Sequence, residues 1–279
     1  MSKLFKIGDK TIGHNYPTLI IAEIGQTHNG SLIKAKKLIK LAKKKGADAV
    51  KFQTHFADEE STIEDEFRVK NFTQKTSRLE YWRKMEFSQS EWSKLKKNAD
   101  DNDIIFLSSP FSEKAVDVLK KINVPAYKIA SGEVGNFIML EKILKLNKPI
   151  LISCGMSKIN EISSIIDYLK KKSNKICLLQ CTSAYPTKTQ DLGLGMIQQF
   201  KKKYGIPVGF SDHSGDINSG LTSIALNANV LEVHVVNTKK SKGFDTSSSI
   251  TFEDLELLAN FRDFFYSFKD KQNKKKLNK

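Results

Sequence analysis

Three cysteines in 279 residues are too few, and too oddly numbered, for a disulfide framework. Cys154, Cys177 and Cys181 also lack the paired spacing of a zinc site. No apolar run approaches the roughly eighteen residues that a membrane helix needs, and the opening MSKLFKIGDK has no long apolar h-region. These absences predict a soluble protein of the reducing cytoplasm with no membrane partner. A Gly-rich dinucleotide fingerprint is missing after the first apolar run, which counts against a doubly wound open sheet. Acid is scarce as well: 31 Asp and Glu against 46 Lys and Arg leave a formal charge of +15. Such an excess favours anionic partners, yet no aromatic residues interleave the basic stretches, and nucleic acid is not expected to bind. Most of the lysine lies on helical stretches such as KAKKLIKLAKKKG and reads as solvated helix surface. The closing KDKQNKKKLNK carries no apolar periodicity, so 269–279 is expected to be a disordered tail after a single domain over 1–268.

What the chain does contain is eight short, near-continuous apolar runs alternating with amphipathic stretches. The runs are LIIAEIG (19–25), ADAVKFQ (47–53), IIFLSSP (104–110), AYKIAS (126–131), PILISCG (149–155), KICLLQCTS (175–183), PVGFSDH (207–213) and NVLEVHV (229–235). Runs of this kind, bounded by turn residues, are strands of a covered parallel sheet. In SLIKAKKLIKLAKKKG, Leu32, Ala35, Leu38, Ile39 and Ala42 share one helical stripe between an N-cap at Ser31 and a stop at Gly46. Further helices are expected near 90–102, 113–121, 137–147, 159–172, 190–204, 215–228 and 251–268. Eight β/α units predict an α/β fold of the (β/α)8 TIM-barrel class. The opening LFKIGDKTIGHNYP reads as a hairpin plugging the barrel's amino end. Segment 56–88, rich in charge and aromatics, is long enough to be a functional lid.

In such a barrel the reactive face lies where the strands end. Polar side chains stand there on every run: Glu23, Lys51 and Gln53, Ser108 and Ser109, Lys128 and Ser131, Ser153, Thr182 and Ser183, Ser211 and His213, Glu232 and His234. The two-residue period puts Lys51 with Gln53, Ser211 with His213, and Glu232 with His234 on common faces. Burying them all would cost several kcal/mol unless they line a wet cavity. His213 and His234, on adjacent strands, form either a structural pair or a two-imidazole metal site completed by substrate and water. Lys51 and Lys128, with hydroxyls of Ser131, Ser153 and Ser211, suit a ligand bearing phosphate and carboxylate. Either lysine is also a candidate for Schiff-base chemistry or for simple snorkelling to solvent.

The motifs IAEIGQTHNGSL, GADAVKFQT, FLSSPFS, YKIASGE, ISCGMS, QCTSAYP, GFSDHS and LEVHV, in this order over about 19–250, resemble those of the sialic acid synthase family. That family comprises N-acetylneuraminate synthase and its legionaminic and pseudaminic acid relatives. The resemblance implies condensation of phosphoenolpyruvate with an N-acylated hexosamine to a nine-carbon 2-keto sugar acid, with release of phosphate by C–O cleavage. It implies His213 and His234 as ligands of a divalent ion, Mn2+ first and Mg2+ or Co2+ as alternatives. It places Lys51, Ser108, Lys128, Ser131, Ser153, Ser183, Ser211 and Glu232 at the substrates, and Glu23, Gln53, Glu133, Tyr185 and Asp245 at the sugar or at catalytic water. Glu133 has a second reading as a helix-start acid, and Tyr185 as a rim aromatic. Thr27 and Gln180 depart from the family's usual motifs and leave the subtype open. Full-length members usually form dimers and continue into a small antifreeze-like domain that supplies an arginine to the sugar, whereas this sequence stops at Lys279. A homodimer and a non-enzymatic barrel that binds anionic metabolites or a partner protein therefore both stand as expectations.

Overall fold

A computed structural model describes residues 4–67, 76–241 and 243–269; the tail expected over 269–279 lies, apart from Lys269, outside the described residues. The chain opens with an antiparallel hairpin, β1 (Phe5–Ile7) and β2 (Lys10–Ile12). Eight parallel strands follow, each falling within one of the expected runs or within a residue of it: β3 (Leu19–Glu23), β4 (Ala49–Thr54), β5 (Ile105–Pro110), β6 (Tyr127–Ile129), β7 (Ile150–Ser153), β8 (Ile176–Cys181), β9 (Val208–Asp212) and β10 (Val230–Val236). They pair in the order β5-β4-β3-β10-β9-β8-β7-β6, and the two end strands of that path lie beside each other, so the sheet curls into a nearly closed (β/α)8 barrel. A short β11 (Ser249–Thr251) adds to β10.

The helices form where apolar stripes and caps coincide. The first, Leu32–Lys44, buries Ala35, Leu38, Ile39 and Ala42, is capped by the Ser31 side chain, and is followed by Gly46 in the left-handed region. Helices Gln89–Asp101, Glu113–Lys121, Phe137–Leu144, Ile159–Lys172, Met196–Tyr204, Ile217–Ala225 and Phe252–Phe268 complete the ring. The helix expected from 190 starts only at Met196. Gly193 has φ +62, and a Cβ there would come within 2.6 Å of the Gln180 amide, so the segment turns before it coils.

Alternation along the strands divides the core in two. Outward residues such as Ile20, Val50, Phe52, Phe106, Ile152 and Leu178 pack against the helices. Inward residues Leu19, Ile21, Ala49, Leu107, Ala126, Leu151, Cys177, Leu179 and Val230 fill the amino-terminal half of the lumen, where Phe5, Ile7 and Ile12 of the hairpin close it. The hairpin is thus the expected plug. Each buried large apolar side chain there is worth about 1.5–3 kcal/mol. At the carboxyl-terminal half the same inward columns turn polar.

Candidate active site

The inward positions near the carboxyl ends are Glu23, Lys51, Gln53, Ser109, Lys128, Ser153, Cys181, Ser211, His213, Glu232 and His234. Strand register places Glu23 beside Lys51 and beside His234, and Glu232 beside Ser211. Lys51 Nζ pairs tightly with Glu23, lies 3.9 Å from Glu232 Oε1 and reaches Ser109 Oγ at 3.1 Å. Lys128 Nζ stands 3.6 Å from the same Glu232 oxygen, to which Ser211 Oγ donates at 3.1 Å. Two ammonium groups and two carboxylates are buried together. Glu23 Oε1, Glu232 Oε2 and Ser153 Oγ are buried with no hydrogen-bond partner among the described residues. Orphaned polar atoms are expensive in a closed core and ordinary in a site that receives a polar ligand.

Burial drives the titration of the cluster. Loss of water pushes Glu23 up to about 7 despite the attraction of Lys51. Burial also acts on Glu232, but Lys128, Lys51 and the Ser211 hydroxyl outweigh it and hold this carboxyl below its ordinary range. For Lys51 the desolvation cost is exceeded by the pull of Glu23 and Glu232, so its pKa rises. Burial, with help from Lys51, draws Lys128 down. One carboxyl is therefore poised near neutrality beside one that stays ionised.

Above these charges the two imidazoles meet at the rim, their ring centres 5.3 Å apart. His213 Nδ1 lies 3.0 Å from the Thr182 carbonyl and 3.7 Å from Cys181 Sγ, while its Nε2 lies 3.2 Å from the Tyr185 hydroxyl. An Nδ1–H donated to Thr182 leaves Nε2 as the acceptor. Burial opposes charge on His213, but Cys181 and the Thr182 carbonyl outweigh it and lift its pKa. Burial, reinforced by His213 and both lysines, holds His234 well below the ordinary value and so neutral. His234 Nδ1 lies 3.7 Å from Asp245 Oδ2. Gly25, at φ +49, backs onto this corner: a Cβ there would sit 3.1 Å from Asp245 Oδ2, 3.4 Å from Glu23 Oε1 and 3.7 Å from His234 Nδ1.

Among the described residues no group of three His, Cys, Asp or Glu is arranged to hold a metal ion. The donors present fit an ion that takes two protein nitrogens at an open rim and completes its shell with substrate oxygen and water.

The remaining expected residues sort by position. Ser131 Oγ, in the turn after β6, accepts from the Gly155 amide at 3.0 Å, and Ser183 Oγ packs against Gly155. Gln53 Oε1 accepts from Gln26 Nε2 at 3.1 Å and lies 3.2 Å from His55 Nε2. One expectation needs correction, and Glu133 makes the contact of its helix-start reading. Ser108 follows Phe106 outward, and its hydroxyl bonds Thr54 Oγ1 at 2.7 Å behind the sheet; Ser109 is the serine that faces the lumen. Glu133 accepts from Asn136 Nδ2 at 3.0 Å, and Asn136 in turn caps helix Phe137–Leu144, which is the helix-start role. It forms none of the ion pairs of the buried cluster. Sequence reasoning did not single out Gly25 or Gln26; strand alternation continued from Lys51 through its register partner Leu107 would have chosen Ser109.

The segment expected as a lid does cross the mouth. Phe67 stacks on Phe244 of the loop after β10 at 5.2 Å, Tyr81 meets the same ring at 4.9 Å, and Trp82 covers His55 at 4.1 Å. Residues 68–75 of that segment lie outside the described residues. His28, by contrast, is a core residue packed on Phe87, its Nδ1 accepting from the Gly30 amide at 3.0 Å.

A sequence profile of the NeuB family matches residues 38–272. An uncharacterised protein of Methanocaldococcus jannaschii is 40% identical over 91% of this chain and 73% of its own. Human N-acetylneuraminate-9-phosphate synthase is 38% identical over 90% and 71%. N,N'-diacetyllegionaminic acid synthase of Campylobacter jejuni is 37% identical over 87% and 74%. Among solved structures, N-acetylneuraminic acid synthetase of Leptospira borgpetersenii superposes with a TM-score of 0.86 at 30% identity, covering 97% of this chain and 91% of that one. With this barrel, this profile and these sugar-acid synthases as its relatives, the chain belongs to the NeuB family.

Proposed function

We propose that this chain is a sugar-acid synthase joining phosphoenolpyruvate to the aldehyde of an N-acylated hexosamine, giving a nine-carbon 2-keto acid and phosphate. The observation that carries this reading is the floor of the barrel mouth, where two buried lysines meet two buried carboxylates and an unpartnered serine. Lys51 and Lys128 bind the carboxylate and phosphate of phosphoenolpyruvate, with Ser109, Ser131, Ser153, Ser183 and Ser211 as hydroxyl donors. His213 and His234 hold a divalent ion, Mn2+ in the first instance, which when bound polarises the sugar's carbonyl.

Carbon 3 of the enol bonds to the aldehyde carbon, and positive charge is left on carbon 2. Glu23 and Glu232, desolvated and close by, offset that charge. Water adds at carbon 2 and gives a proton to Glu23, whose carboxyl, held near 7, is suited to accept it and pass it to the former aldehyde oxygen, where the attack left negative charge. The C–O bond then breaks and phosphate leaves. Gln53, Tyr185 and Asp245, at the rim, hold the hydroxyls of the sugar. Lys51, kept charged by its carboxylates, is a poor Schiff-base nucleophile, whereas Lys128, drawn down by burial, is the lysine that borohydride trapping with pyruvate would test for an aldolase route.

The test is phosphate release from phosphoenolpyruvate with Mn2+ and a panel of N-acylated hexosamines, with the product identified by mass spectrometry. Release that needs all three components, and stops with chelator, is expected. No phosphate with any sugar would leave an anion-binding barrel without turnover. The relatives are named for both a phosphorylated and unphosphorylated products, so similarity alone does not choose the sugar.

A further inference from the structure

Near the imidazole pair, bordered by Asp245, lies a cavity that the reaction above does not use. It is lined by Gln26, Asn29, Lys34, Tyr81, Ser241 and Phe244, and it reaches Asp245 at the edge of the site. Its floor holds an unspent polar group. Gln26 is only 6% exposed; one end of its amide bonds Gln53, and the other is buried without a partner, whichever way the amide is turned.

Its wall holds an unspent charge. Lys34 stands in the first turn of the thirteen-residue helix Leu32–Lys44, where the amide of Lys34 is capped by Ser31 and no acidic side chain lies in the turn. Among the described residues Lys34 makes no ion pair, and burial alone acts on its ammonium, drawing the pKa below the ordinary value. Other partly covered lysines find an acid or a carbonyl oxygen, as Lys45 does with Glu256, Lys142 with Asp117 and Lys175 with the Asn147 carbonyl. A helix start adds partial positive charge at the same point. Tyr81 and Phe244, in contact at 4.9 Å, roof the space and thin the water around it. The cavity therefore offers hydrogen bonding to a hydroxylated chain at its inner end and positive charge at its outer end.

We infer that this cavity takes the distal end of the acceptor sugar with a phosphate on it, so that the second substrate is a hexosamine 6-phosphate and Lys34 is the residue that reads the phosphate. This rests on the synthase reading above and sharpens it. Three carbons come from phosphoenolpyruvate, so carbon 6 of the hexosamine becomes carbon 9 of the product, the end farthest from the bond being made. A cation set beyond Asp245, away from Lys51 and Lys128, suits that far end.

The experiment compares N-acetylmannosamine, its 6-phosphate and a diacetamido-trideoxyhexose, by phosphate release and by calorimetric titration, in the wild type and in Lys34→Gln and Lys34→Arg. The wild type is expected to prefer the 6-phosphate. Lys34→Gln should reduce that preference about 10- to 100-fold, the worth of one charge-assisted contact, and Lys34→Arg should restore most of it. Equal or better use of an unphosphorylated sugar overturns the inference while leaving the synthase reading intact. A preference that survives Lys34→Gln overturns the assignment to Lys34. Absence of turnover with every sugar overturns the synthase reading, and the titration still tests the cavity: 6-phosphate binding that ignores Lys34 contradicts it.

Discussion

A buried carboxyl held near neutrality decides the chemistry at the scale of single residues. Glu23 acts as a base only when ionised, so activity is expected to rise with pH through about 7. Glu23→Gln should lower kcat by about 10²- to 10⁴-fold and remove that rising limb. A pH–rate profile of both proteins checks this, and an unchanged limb in the variant would assign the titration elsewhere. The neighbouring serines offer a second comparison. Ser109→Ala withdraws a partner from Lys51 and should raise KM for phosphoenolpyruvate about tenfold. Ser108→Ala leaves the Thr54 hydroxyl buried and alone, costing about 1–3 kcal/mol of stability with no change in KM. Steady-state kinetics and denaturant melts separate the two effects. Two adjacent serines have no phase of their own, so the sequence did not say which one faces the lumen; the register of β5 on β4 decides it. The pairs Lys51 with Gln53, Ser211 with His213, and Glu232 with His234 were legible because alternation within one strand needs no partner.

Among the elements, strands were more legible than the pieces joining them. Each barrel strand is covered on both faces, and the resulting apolar run is visible in the chain. The helix after Gly193 and Gly195 was over-extended because its apolar spacing continues backward through a turn that only the backbone reveals. The mouth cover was legible as a long aromatic segment, but its partner Phe244 lies more than 150 residues away and carries no local signal. The hairpin makes the sharpest prediction at this scale. Ile7 is fully buried in the lower lumen, so Ile7→Ala should cost about 2–5 kcal/mol. KM for both substrates should stay unchanged, since the plug lies at the end opposite the site. A thermal melt with kinetics below the transition checks both halves of that statement.

For the molecule as a whole, the barrel is divided along its axis into an apolar half that holds it together and a polar half that holds charge out of water. The positive charge outside follows a separate rule. Lys43 and Lys44, Lys120 and Lys121, Lys170 to Lys172 and Lys201 to Lys203 sit in last turns of helices, where cations oppose the helix dipole. The fold class, with its hairpin, was therefore readable in the chain, and so were most lumen residues. The outward turn of Ser108 was not, because it depends on a neighbour, Thr54, supplied by folding, whereas the helix-start contact of Glu133 with Asn136 is local and was one of its two readings. The most direct test of the central claim uses phosphoenolpyruvate carrying ¹⁸O in the bridging oxygen, with Mn2+ and the preferred sugar. Attack of the enol carbon followed by C–O cleavage predicts that the label leaves with phosphate. Label retained in the sugar acid, which requires cleavage at phosphorus, would contradict the account.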